Sequence, residues 1–148
     1  MRALLLSILL LVVPGAAKAQ AVPELLTRGF EAYDRGGYSA ALDAWFTGWG
    51  PDDVDPIKGQ FVEVFQQMES QAGPFVGSEF LGTVLWGEHS RRVFALVLYE
   101  ERPLFARFDI YQIDGVWRVL NISLNTDPER VFPPELLVPP GFAPRTGG

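Results

Sequence analysis

Apolar residues recur with a helical period through the first third of the chain, and then the pattern changes. Between Pro23 and Trp49, Leu26, Phe30 and Tyr33 fall at i, i+4, i+7, and Tyr38, Leu42, Trp45 and Trp49 follow at i, i+4, i+7, i+11. Pro23 suits a first helical turn, and Gly36-Gly37 separates the two blocks where glycine accepts a left-handed cap. The spacing predicts helices over 23–35 and 39–49, folded back as an antiparallel hairpin. A third, amphipathic helix is expected over 56–71. Asp55 would cap it, Asp52 and Asp53 would place negative charge at the positive end of its dipole, and Ile57, Phe61, Val64, Phe65 and Met68 would line its buried face.

After Gly73-Pro74 the helical period is lost. Residues 78–86, 91–99, 104–113 and 116–125 are rich in Val, Ile, Leu, Phe, Tyr and Trp, and between them lie Gly87-Glu88-His89-Ser90, Glu100-Glu101-Arg102-Pro103 and Asp114-Gly115. Turn chemistry between apolar runs predicts strands joined by hairpins, with Asp-Gly the strongest of the short signals. Three helices followed by a four-stranded antiparallel meander sheet give an α+β fold. The second strand is apolar on both faces from Val93 to Tyr99 and is expected inside the sheet. Residues 20–132 would form the single domain. Five prolines within 133–148 predict a disordered tail, without the Pro-x-x-Pro spacing of a proline-motif ligand.

Ahead of the helices, Arg2, an apolar run of eleven residues over 3–13, the break Pro14-Gly15 and the small residues Ala17 and Ala19 make the three-part pattern of a secretory signal peptide. That run is short of the roughly 20 residues that cross a bilayer as a helix. Cleavage near Ala19 is therefore expected, leaving a periplasmic or secreted protein with no membrane anchor.

Composition narrows the function classes. The chain of 148 residues has no Cys and one His, which excludes disulfides, a thiolate nucleophile, cysteine metal sites and any site needing two imidazoles from one chain. The net charge of −6 becomes −8 once Arg2 and Lys18 leave with the leader, since ten basic residues then face eighteen acidic ones. With no basic block, nucleic acid is not expected as a partner. No cofactor or metal is expected either, because Asp52-Asp53-Val54-Asp55 lacks the glycine and terminal glutamate of a calcium loop. An exported domain without disulfides must be held by its core alone.

Two stretches resemble known families. Gly29-Phe30-Glu31-Ala32-Tyr33, then Gly36-Gly37-Tyr38-Ser39-Ala40-Ala41-Leu42-Asp43-Ala44-Trp45, resembles one tetratricopeptide-type repeat, with small Gly29 and Ala41, turn Gly36 and aromatic Tyr38 and Trp45 at that family's spacings. One copy cannot form a solenoid, since stacked repeats need about three units to bury a continuous core. The strand half, in Tyr99-Glu100-Glu101-Arg102-Pro103-Leu104-Phe105, Phe108-Asp109-Ile110-Tyr111 and Asp114-Gly115-Val116-Trp117-Arg118-Val119, looks like small exported bacterial proteins with a nuclear-transport-factor-like, cystatin-like fold. That resemblance implies a curved sheet wrapped around a helix, with a pocket between them. The usual extra strand hairpin between helices is missing here.

A two-residue Asp114-Gly115 turn pairs Ile113 with Val116 and thereby assigns faces. One face is expected to hold Ala106, Phe108, Ile110, Trp117, Val119, Asn121 and Ser123, the other Arg107, Asp109, Tyr111, Arg118, Leu120 and Ile122. Arg107, Asp109, Tyr111 and Arg118 then share one polar patch. It suits a small anionic ligand held by arginine forks and a tyrosine hydroxyl, or else a solvated face whose charges pair across strands. Trp45, Phe46 and Trp49 exceed what a helical hairpin buries alone, so they dock on the sheet or leave an apolar patch for a protein partner. His89 beside Glu88 and Ser90 reads as a solvated turn residue, since triad groups converge from separate segments. The expected role is non-enzymatic binding, of a protein or small ligand, through the helical surface or the helix–sheet cleft. The rival is a pocket enzyme with Asp109 as general base beside Tyr111, which requires both inside a closed apolar pocket.

Overall fold

The computed structural model describes residues 22–137. The expected leader, residues 1–19, lies outside them, as does the expected tail from residue 138 on. The elements are α1 (Glu24–Trp45), α2 (Pro51–Ala72), β1 (Phe75–Leu85), β2 (Ser90–Tyr99), β3 (Pro103–Ile113), β4 (Val116–Asn125), a 3-10 turn (Pro128–Arg130) and a short α3 (Pro134–Leu137). This is the expected α+β order. The strands pair antiparallel in sequence order, so β2 is interior, flanked by β1 and β3. Each strand begins within three residues of its predicted start.

The hairpin reading of α1 rests on one residue. Gly37, at φ 75° and ψ −177°, breaks the helix into two arms, a left-handed turn that glycine adopts without a Cβ penalty. The arms close on each other through Trp45, which is fully buried. Its ring lies over Gly29, so close that a Cβ on that glycine would stand 1.8 Å from Nε1. The indole donates to the Leu26 carbonyl at 3.3 Å and meets Phe30 edge-on at 5.0 Å. Small residue against large aromatic is the contact that lets the two arms approach.

Two boundaries differ from expectation. The second arm ends at Trp45 rather than residue 49, and α2 starts at Pro51 rather than Pro56. Gly50, extended, stands at the N-cap with no side-chain cap, so Asp55 does not cap the helix and Pro56 lies inside it. Only one backbone bond, back to residue 52, is forfeited there. A proline at the first position is already preset for a helix, which explains the earlier start. Asp52 and Asp53 keep their place in the first turn.

Buried rings join helices to sheet. Trp45 reaches Phe108 of β3 at 5.1 Å and Phe65 of α2 at 6.1 Å, while Phe30 meets Phe80 of β1 at 5.5 Å. Val93, Ala95, Val97, Ala106, Ile110, Val119 and Ile122 are buried in the same cluster. On the opposite sheet face, Phe94 packs against Phe132 at 5.8 Å with Val131 alongside, a second small core under the C-terminal segment. Residues 134–137, expected in the tail, are helical.

Two phenols sit in the main core. The Tyr33 hydroxyl lies 2.9 Å from that of Tyr99 and donates to Glu69 Oε1 at 3.2 Å, tying α1, β2 and α2. Burial pushes Tyr99 up to about 12, partly offset by the Tyr33 hydroxyl. Burial, with Tyr99 and Glu69 alongside, raises Tyr33 further. A phenol whose folded pKa exceeds its unfolded value stabilises fully below about pH 10 and loses that contribution as pH climbs through the folded value.

Two outcomes follow from this packing. Gly29→Ala should cost at least about 2 kcal/mol by overpacking against Trp45, whereas Gly59→Ala in α2, with nothing within 4 Å of the added carbon, should gain about 0.5–1 kcal/mol. Urea denaturation checks both, and equal signs would refute the Gly29–Trp45 account. Separately, stability measured from pH 9 to 12 should fall across the upper part of that range, and Tyr99→Phe should flatten the fall.

Candidate functional site

The polar patch starts at the β3–β4 turn. Asp114 and Gly115 both have positive φ, 51° and 78°, the conformation of a two-residue type I′ hairpin. The predicted register therefore holds from Ile113↔Val116 to Ile110↔Val119. There it shifts: Asp109 faces Asn121, not Leu120. One inserted residue reverses every later side chain in β4.

The predicted faces are corrected accordingly. Ile122 turns to the helices and is buried, while Asn121 and Ser123 join Arg107 and Asp109 on the outer face. The bulge residue Leu120 is left 48% exposed. Burying both Val119 and Ile122, three positions apart, requires this insertion, since no unbroken strand places them on one face, and in the sequence the regular alternation of Leu120 with Ile122 conceals it.

On the outer face Asp109 is held from two sides. Arg92 Nε lies 2.7 Å from Oδ1, and Arg107 Nε lies 3.6 Å from Oδ2. Arg107 Nη2 also donates to Ser123 Oγ at 2.8 Å. Arg92, not singled out in the sequence because it only precedes the apolar run of β2, is Asp109's nearest partner. Its guanidinium covers one face of the Trp86 ring at 4.2 Å from the centroid.

Of the four expected patch residues, only Arg107 and Asp109 come together. Tyr111 shares their face but stands 39% exposed. Arg118 pairs with Tyr111 through the backbone, while its guanidinium lies over Trp49 at 5.5 Å. Since Asp109 is engaged by two arginines on the sheet face away from the helices and Tyr111 is open to solvent, the enclosed base–phenol pair of the enzyme reading is not formed.

The aromatic trio is not an exposed patch. Trp45 and Phe46 are buried, and half-buried Trp49 donates from Nε1 to the Val119 carbonyl at 3.0 Å. The surplus aromatic surface has docked inside the fold, Trp45 on Phe108 of β3, Phe46 on Phe61 of α2 and Trp49 on β4, the other outcome the sequence left open. Phe46 and Trp49 nevertheless border a cleft of about 210 Å³ between α2 and β4, completed by Val54, Ile57, Val119 and Leu120, with Asp53 at its side. A second cleft, about 250 Å³, lies between α1 and β1 over Phe30, Phe75 and Phe80, with Glu31 and Asp34 in its lining. His89 lines an open depression at the hairpin tips with Tyr111 and Asp114. Among the described residues no group of three His, Asp or Glu side chains is placed to hold a metal ion, and no helix is long and apolar enough to cross a membrane.

The Asp109 network supplies a direct test. Asp109→Asn leaves two cations without their shared carboxylate and should cost about 1–2 kcal/mol, between the values for exposed and buried pairs. Arg92→Gln should cost less, because Asp109 keeps Arg107. Equal losses in urea denaturation would mean that the carboxylate is not the hub.

No family model matches the chain, and neither a curated protein nor a solved structure does.

Proposed function

We propose that the chain is an exported, non-enzymatic binding domain, acting in the periplasm or outside the cell once residues 1–19 are removed, which seats one apolar side chain of a protein partner in the α2–β4 cleft. The observation that carries this is the lining. Phe46, Trp49, Val54, Ile57, Val119 and Leu120 surround about 210 Å³, and Asp53 is the one titratable residue with them. A lone carboxylate beside apolar walls offers no acid–base pair, while the walls suit an apolar side chain, which favours a receptor.

Its size favours a protein partner over a free metabolite. Sites for whole small molecules occupy about 300–1,000 Å³, and a smaller apolar recess matches one buried anchor of a protein interface. Ile57 and Leu120, 41% and 48% exposed, lie at the surface where a partner would extend the contact. The sequence resemblance of the strand half to nuclear-transport-factor-like proteins would imply a pocket between helix and sheet, as this reading requires. The anionic-ligand reading of the outer patch has less support, since Arg92 and Arg107 already share Asp109.

N-acetyl-tryptophanamide and N-acetyl-leucinamide can stand in for the anchor. Titrated into methyl-labelled protein, they should produce saturable shifts at Val54, Ile57, Val119 and Leu120, and Ile57→Lys or Leu120→Lys should abolish them while leaving the rest of the spectrum unchanged. Absence of saturable shifts would overturn the proposal.

A further inference from the structure

The outer sheet face near the hairpin tips carries a second surface with different chemistry. The Trp86 amide bonds to the Ser90 carbonyl at 3.0 Å, Ser90 pairs with Tyr111, and Tyr111 pairs with Arg118. Trp86, the residue after β1, therefore forms one row with Ser90, Tyr111 and Arg118 of β2, β3 and β4. Two strand spacings separate Trp86 from Tyr111, about 10 Å along the row, and the residue between them is a small serine. Both aromatics are exposed, at 53% and 39%.

Trp86 is held in place. Arg92 covers one face of its ring at 4.2 Å, and Arg92 is in turn fixed by Asp109 at 2.7 Å. With one face of the indole on this pedestal, the surface that Trp86 offers to solvent is its other face and its edge. Beside Tyr111 the sheet falls into an open depression of about 590 Å³, lined by His89, Gln112 and Asp114 among others. Neither the Trp86 indole N–H nor the Tyr111 hydroxyl has a hydrogen-bond partner among the described residues.

These features select one ligand chemistry. An anion is disfavoured, because Arg92 and Arg107 are committed to Asp109, Arg118 lies over Trp49, and Asp114 adds negative charge to the depression. A purely apolar ligand is disfavoured by the polar groups around each ring. What fits is a neutral molecule with flat apolar faces and a rim of hydroxyls, repeated along a line. We propose that this face binds a neutral polysaccharide of all-equatorial pyranose units, two of them stacking on Trp86 and Tyr111 while His89 and Asp114 bond hydroxyls. This site is separate from the α2–β4 cleft and does not depend on it.

The probes are cellohexaose and chitohexaose, with maltohexaose, whose axial linkage curves the chain, as the comparison. Titrated into the full chain and followed by the tryptophan indole N–H resonances, the two straight oligosaccharides should shift Trp86 saturably and leave Trp45 unmoved. Trp86→Ala and Tyr111→Ala should each weaken binding about tenfold, equivalent to about 1.4 kcal/mol, with amide shifts elsewhere unchanged. Trp86→Tyr keeps an aromatic plate and should retain saturable binding. No saturable shift with either straight oligosaccharide, full affinity in Trp86→Ala, or equal binding of maltohexaose would overturn the proposal. Shifts of Trp86 caused by N-acetyl-tryptophanamide but not by the saccharides would also overturn it, by marking the face as a protein-docking surface.

Discussion

Trp45 lying on Gly29 is the contact from which the rest of this domain is assembled. Without it the two arms of α1 have no reason to fold back at Gly37, and Phe30, Phe65 and Phe108 lose the ring they meet. A chain with no cysteine has no covalent means of holding the arms together. The close approach that stacked helical repeats distribute over many copies is here made once, and the sheet takes the place of neighbouring repeats by covering the hairpin's apolar side.

The second organising feature is the single inserted residue in β4. By leaving Leu120 outside the register, the strand satisfies two needs that an unbroken strand sets against each other, burying both Val119 and Ile122 under the helices, and it thereby brings Ser123 to Arg107. It also places Leu120 beside Ile57 at the α2–β4 cleft. One register shift thus shapes both the polar outer face and the apolar recess on the helix side.

Much of this was legible in the sequence, for identifiable reasons. The Asp114-Gly115 pair announced its own hairpin because both residues accept positive φ, and the aromatic period of α1 survived because each ring has a partner inside the fold. What was not legible depended on contacts made far along the chain. Pro51 and Pro56 offered two helix starts that local propensity does not separate. Arg92 stands at the head of an apolar strand, and its role depends on Asp109, seventeen residues further along the chain. Trp49 had to be placed against Val119 before it was evident that the aromatic trio is not a surface. The faces of β4 depend on a bulge that the regular alternation of Leu120 with Ile122 conceals.

The indole of Trp49 has a consequence for solubility. An open four-stranded sheet has two free edges, and each is a template on which another chain can add a strand. At β4 one outward carbonyl, that of Val119, is already taken by Trp49, and the adjoining backbone is kinked by the bulge. At β1 the register is irregular at two places, between Phe75 and Gly77 and between Phe80 and Gly82. Neither edge offers a long straight ladder, so the molecule can expose Val76, Leu81 and Val84 along β1 while discouraging edge-to-edge polymerisation with its own copies.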